Sequence, residues 1–177
     1  MNNVLENSFI IHSRNYRETS QILDILTKNN GLISVIAKGI KKKKNFSILQ
    51  PFSELKLSFT NRGSLPILTS FEIIENFKNN NKSLLVTLYM NELIHIFIPK
   101  HEPCESIYEL YKYHLKKALD ADENTKLVLL NFEIKFLKEI GYEMCMHNSE
   151  NTFIEKNKNY YYHFGFGFKV ATNINDL

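Results

Sequence analysis

The chain has 177 residues, 44% hydrophobic and 23% charged, with a net charge of +3, which allows one substantial core or two small domains of an ordinary soluble kind. No apolar run reaches the roughly 18 residues of a spanning helix, and Met1–Glu6 lacks the basic and apolar regions of a signal peptide. The two cysteines, Cys104 and Cys145, exclude a disulfide framework and fit a reducing cytoplasm. The positive charge is concentrated at the front. Residues 1–80 hold 11 Lys/Arg against 6 Asp/Glu, and residues 81–177 hold 11 against 13, so the front half suits a polyanionic partner. Lysine outnumbers arginine 19 to 3, and the competing reading of a lysine-rich surface is simple solvation.

Phe9-Ile10-Ile11 predicts a short strand, followed by a polar, partly basic segment from Arg14 to Glu18. A second strand is expected over Gln21–Thr27, with Ile22, Asp24 and Leu26 on one side and Leu23 and Ile25 on the other. Asn29-Asn30-Gly31 tolerates positive φ and predicts a hairpin turn. A third strand, Leu32–Ile40, runs into four successive lysines, Lys41–Lys44. Leu55, Leu57 and Phe59 then alternate with Lys56, Ser58 and Thr60, one face buried and one wet. Asn61-Arg62-Gly63 supplies another turn, and Leu65–Ile74 returns as a fifth strand. Five short antiparallel strands with a basic rim predict an OB-type Greek-key barrel, a fold often used for single strands.

The hydrophobic period changes from two to about 3.6 after Asn76–Asn81. Ser83–Ile98 is apolar almost all round, which predicts a buried central helix ended by Pro99. Glu102–Leu119 predicts a second helix with a core stripe of Ile107, Tyr111, Leu115, Ala118 and Leu119. Asp122–Ile140 predicts a third, with Leu127, Leu130, Ile134, Leu137 and Ile140 inward, Phe132 and Phe136 alongside, and Gly141 as a left-handed cap. Tyr160-Tyr161-Tyr162 and Gly165–Phe168 suggest a short hairpin. The fold expected is α+β, with an OB-type barrel at 1–78 and an antiparallel helical domain at 79–177.

Several motifs carry a resemblance. His12-Ser13-Arg14, Arg17-Glu18-Thr19-Ser20, Asn30-Gly31, Ala37-Lys38-Gly39 and Leu49-Gln50-Pro51-Phe52 resemble, in order and spacing, the N-terminal half of the RecO recombination-mediator family. Tyr89, Asn91-Glu92-Leu93, Pro99, Glu102, Phe132-Glu133, Leu137 and Gly141-Tyr142 are similar to its helical domain, and the match loosens after Glu143. That family usually continues past this point with a further basic helical segment, so a chain ending at Leu177 reads as a shortened or truncated member. The resemblance implies DNA repair by a non-enzymatic mediator in the cytoplasm, associated with the nucleoid. Such a mediator binds single- and double-stranded DNA, anneals complementary strands, works with RecR, contacts the C-terminal tail of single-stranded-DNA-binding protein and assists RecA loading. No membrane partner and no cofactor are implied.

Lys41, Lys42, Lys43 and Lys44, with Lys38 nearby, are the strongest candidates for contacting phosphates without reading sequence. Arg14, Arg17, Lys56 and Arg62 extend the candidate patch; the alternative for the arginines is a salt bridge, such as Arg17 with Glu18 or Asp24. Tyr16 and Phe46, expected in loops, are the candidates for base stacking, whereas Phe59 falls in a core alternation. For the partner tail, which the resemblance makes acidic with an apolar end, Lys135 and Lys138 stand in for basic residues the family carries just before Phe132-Glu133, where this chain has Leu130 and Asn131. Some family members hold zinc through four cysteines after the segment resembling Gly141-Tyr142. Here only Cys145 falls there, and Cys145, His147 and His163 lack zinc-ligand spacing, so no structural zinc is expected. No nucleophile–base pair or phosphate-cradling glycine loop is present, and catalysis has no visible seat. The rival readings are a protein-interaction adaptor and a generic RNA-binding module.

Overall fold

In a computed structural model the described residues are 3–42, 49–60, 65–77, 83–120, 123–144, 154–163 and 165–172. The chain forms two compact units, Met1–Phe136 and Leu137–Leu177. The first opens with strands β1 (Asn3–Tyr16), β2 (Ser20–Thr27), β3 (Gly31–Ala37), β4 (Ser53–Thr60) and β5 (Leu68–Asn76), with a 3-10 turn at Ile40–Lys42 after β3. Helices α1 (Leu84–Phe97), α2 (Glu105–Leu119) and α3 (Thr125–Glu139) follow, and α3 runs across the boundary between the units. In the second unit, β6 (Tyr160–His163) and β7 (Gly167–Val170) form the expected antiparallel hairpin.

The five strands form one antiparallel sheet in the order β3-β2-β1-β4-β5. As paired, this sheet is open and not the closed barrel expected. Among the described residues the β3 edge bridges to the segment just before β5, Ile36 with Ile67 in parallel, where the Ile36 N–H donates to the Pro66 carbonyl at 2.8 Å. β1 is far longer than its apolar core suggested. His12, Ser13, Arg14 and Asn15 pair with Asp24, Leu23, Ile22 and Gln21, so cross-strand bonding holds polar residues in a strand that side-chain pattern alone does not mark.

One face of the sheet buries Ile10, Leu23, Ile25, Ile33, Val35, Leu55, Leu57 and Phe59 in a single cluster. The other face receives the helices. Phe9 lies edge-on to Tyr111 at 5.0 Å between ring centroids and 5.3 Å from Tyr108. The Asn91 amide donates to the Ile11 carbonyl at 3.1 Å and accepts from the Tyr111 hydroxyl at 2.7 Å. β2 is therefore covered on both sides, which is why its residues Ile22, Leu23, Asp24, Ile25 and Leu26 are all buried.

The hairpin turn falls where Asn29-Asn30-Gly31 placed it. Gly31 has φ of +67°, and a Cβ there would stand 1.8 Å from the Glu102 carbonyl oxygen. Only glycine admits so close a backbone approach. The segment after α1 lies along the edge of β3, with Leu32 bridged to Lys100 and the His101 N–H donating to the Leu32 carbonyl at 2.9 Å.

Two helical readings are corrected. α1 is not a buried central helix: it buries Thr87, Met90, Asn91 and Ile94, while Leu85 and Ile96 are 78% and 63% exposed. An all-apolar stretch does not say which stripe faces the sheet, and here the stripe that docks is the more polar one. α3 buries Val128, Phe132 and Phe136, whereas Leu127 and Leu130, expected inward, are exposed. Phe132 and Phe136 stack at 5.5 Å, and Phe97 meets Phe136 at 6.4 Å, so the aromatic stripe of α3 outcompetes the leucine stripe for the interior. α2 buries its expected stripe except Leu119, and adds Tyr108 and His114.

Candidate nucleic-acid interface

The β1–β2 turn and the segment after β3 come together at one end of the sheet. The Lys41 N–H donates to the Thr19 carbonyl at 3.2 Å, and the Gly39 N–H donates to the Ser20 hydroxyl at 3.2 Å. Arg17 occupies the turn with φ of +54°, its guanidinium 5.3 Å from the centre of the Tyr16 ring. Arg17, Lys38 and Lys41 are exposed, and none has an ion pair among the described residues. Three cations from two chain segments thus share one rim. Tyr16 ends β1 and is half-buried rather than in a loop, and the Arg17 guanidinium at its ring competes with a base for that face. The Lys42 side chain and residues Lys43, Lys44, Phe46 and Arg62 lie outside the described residues.

Two further candidates for DNA contact are placed differently from the rim cations. Lys56 is exposed on β4 opposite Asn7, at the end of β1 away from the Arg17 turn. Arg14 points to Asp24, with Nη1 3.6 Å from Oδ2. Of the salt bridges considered from sequence, Asp24 is the acceptor, but Arg14 is its partner and not Arg17.

Asp24 is fully buried at the centre of a polar cluster. Its Oδ1 accepts from Lys100 Nζ at 2.9 Å and from the Ser34 hydroxyl, and its Oδ2 faces His95 Nε2 at 3.1 Å and His12 Nδ1 at 3.5 Å. Burial alone would raise its pKa, but the hydrogen bonds from Ser34, Lys100 and His95 outweigh that and bring it down to about 2. A second buried carboxylate, Glu54 on β4, accepts from the Tyr108 hydroxyl at 2.7 Å and from Lys112 Nζ at 2.9 Å, both on α2. Burial, then Glu54, push the Tyr108 hydroxyl far above its ordinary value. A carboxylate set among Ile22, Leu23, Ile25 and Leu26 must be paired when its strand is buried, and that was the available signal for the Asp24 cluster. His12 and His95 gave no such signal.

On the helical side, α2 and α3 frame a cavity of about 340 Å³ lined by residues including Tyr113, Lys117, Leu127, Val128, Asn131 and Lys135. Lys135 Nζ lies 5.7 Å from the centre of the Tyr113 ring. Lys138 does not line this cavity and pairs with Glu143 at 2.7 Å. Lys117, on the neighbouring helix, supplies a second cation that the reading along α3 missed. It is paired with Glu123 at 2.5 Å.

An open five-stranded antiparallel sheet with a basic rim, followed by three helices, defines a small α+β protein. Residues 1–77 match the family described as Recombination protein O N terminal, and residues 80–173 match Recombination protein O C terminal. The chain belongs to the RecO family. It is 33% identical over 152 residues to the DNA repair protein RecO of Nitrosococcus oceani, covering 84% of this chain and 61% of that protein. To the protein of the same name from Methylococcus capsulatus it is 35% identical over 142 residues, covering 78% and 58%. The chain thus spans about 60% of the length of these relatives. Among the described residues no helix is long and apolar enough to cross a membrane.

Proposed function

We propose that this chain acts in DNA repair as a recombination mediator: it binds single- and double-stranded DNA, anneals complementary strands and, with RecR, assists RecA loading on coated single strands. The observation that carries the reading is the convergence of Arg17, Lys38 and Lys41, without ion pairs among the described residues, on one rim of the sheet, directly before the remaining lysines of the Lys41–Lys44 run. Such a rim neutralises phosphates without reading bases, lowering the repulsion between two strands and letting them pair. Its role is binding, and no catalytic group is required. An OB-type sheet is supported by the placing of β1 between β2 and β4 and by the parallel bridge from β3 to Ile67.

The cavity between α2 and α3 suits the tail of single-stranded-DNA-binding protein. Leu127 and Val128 offer apolar surface and Lys135 offers a cation, while Lys117 is already paired with Glu123, which also lines the cavity; an apolar surface beside a cation suits a terminal carboxylate behind an apolar side chain. Lysine holds a carboxylate as a point charge and not as a fork, so binding is weak and salt-sensitive.

The test is the rate of annealing of complementary oligonucleotides, bare and coated with single-stranded-DNA-binding protein. Acceleration in both states is expected. A folded protein that accelerates neither contradicts the proposal. Retention on DNA that does not depend on salt favours a protein adaptor, and preferential competition by RNA favours an RNA-binding module.

A further inference from the structure

The polar cluster around Asp24 has a geometry that DNA binding does not call for. His12 from β1 and His95 from α1 both direct a ring nitrogen at Asp24 Oδ2, at 3.5 and 3.1 Å. Their ring centroids are 4.6 Å apart, and the three donor atoms lie within 4.8 Å of one another. Zinc bonds to imidazole nitrogen and carboxylate oxygen are about 2.0–2.1 Å, so the donor atoms of a tetrahedral site stand about 3.3–3.4 Å apart. The two histidine–aspartate distances bracket that edge. A rotation of the half-exposed His12 ring closes the third.

We infer that His12 Nδ1, Asp24 Oδ2 and His95 Nε2 form a binding site for a divalent transition-metal ion such as Zn²⁺ or Co²⁺. Two imidazoles and one carboxylate favour that class over Mg²⁺ or Ca²⁺, which take oxygen ligands. The surroundings fit. Asp24 Oδ1, the oxygen turned away from the histidines, is held by Lys100 and Ser34, the outer support that ligating carboxylates ordinarily have. A cavity of about 400 Å³, with His12, Asn91, Glu92 and His95 in its wall, gives an entry path and room for water as a fourth ligand.

The opposing charges are those of Lys100 and Arg14. Lys100 contacts the non-ligating oxygen. Arg14 is 51% exposed and sits 3.6 Å from Oδ2, at the limit of an ion pair, so it withdraws to solvent when the ion enters. Their repulsion weakens binding without disturbing the donor set. The site is remote in sequence from Cys145, where the cysteine pattern placed the question of metal, and it is not required for folding because Lys100 and Arg14 balance Asp24 without an ion.

The test uses the full chain, stripped with chelator and titrated with Co²⁺ alone. About one equivalent should bind, with the intense visible absorption of a tetrahedral centre. His12→Gln and His95→Gln should each weaken binding by at least about tenfold while leaving the metal-free melting transition near its original temperature. Cys145→Ser should leave binding unchanged. The inference is overturned by no uptake below about 100 µM free Co²⁺, or by uptake that survives both histidine substitutions.

Discussion

The chain uses its cations in two different ways, and the contrast separates architecture from function. Lys112, Lys100 and Arg14 are drawn to carboxylates buried in the sheet. Arg17, Lys38 and Lys41 stand on a rim with no ion pair among the described residues. A net charge of +3 makes no distinction between them. The tied cations join elements of the fold, since Lys112 joins α2 to β4, Lys100 joins the segment after α1 to β2, and Arg14 joins β1 to β2. The rim cations join no two elements by an ion pair among the described residues, so their substitution should alter binding and leave the fold nearly unchanged.

The largest effect is expected at Glu54. Glu54→Ala removes the shared acceptor of Tyr108 and Lys112 and strands both beside the sheet. The cost should be about 3 kcal/mol, at the low end for a broken buried pair because Lys112 retains some solvent access. For a chain of this length that lowers the melting temperature by about 6–12 °C, measurable by thermal denaturation, with the salt slope of DNA binding unchanged in the folded population.

Asp24→Asn should cost less, about 2 kcal/mol, because its partners are half-exposed and rehydrate. Its signature is in acid. The folded pKa of about 2 lies below the unfolded carboxylate value, so the unfolded chain binds more protons between the two, and stability there rises with pH. The contribution of Asp24 in the metal-free protein is full above about pH 4 and is lost as the pH falls through about 2. The Asn variant should show a flatter acid limb in denaturation midpoints from pH 4 to 2. An equally steep limb would mean that other carboxylates govern acid unfolding.

The smallest effect is expected in the α2–α3 cavity. Lys135→Ala should weaken binding of a labelled acidic tail peptide severalfold, whereas Lys138→Ala, outside the cavity, should change nothing. Titration at two salt concentrations checks both. Equal losses from the two substitutions would place the tail elsewhere.

How far these roles were legible in the sequence follows from which signals are local. Strand alternation at Leu55, Leu57 and Phe59 and the turn at Gly31 are local, and both were read correctly. Arg14 looks like part of a polar segment in sequence, whereas its strand is held by pairing to Ile22 across the sheet, information that its neighbours in sequence do not carry. The docking stripe of α1 was illegible for the opposite reason: with apolar residues on every side, periodicity has no face to select. Lys117 is not legible as a neighbour of Lys135 because the cavity lies between two helices, and spacing along α3 carries no information about α2. The rim was legible as composition from the lysine run, but the part of Arg17 in it depends on the Lys41–Thr19 backbone bond.

The most direct test of the account is the salt dependence of single-strand binding by a triple variant, Arg17→Ala, Lys38→Ala and Lys41→Ala, beside the unsubstituted chain. Each lost phosphate contact should reduce the slope of log affinity against log salt by about 0.7, so the triple variant should lose about 2 while melting at the same temperature. An unchanged slope in a folded variant would contradict the account, leaving these three cations as solvated surface and the DNA site elsewhere.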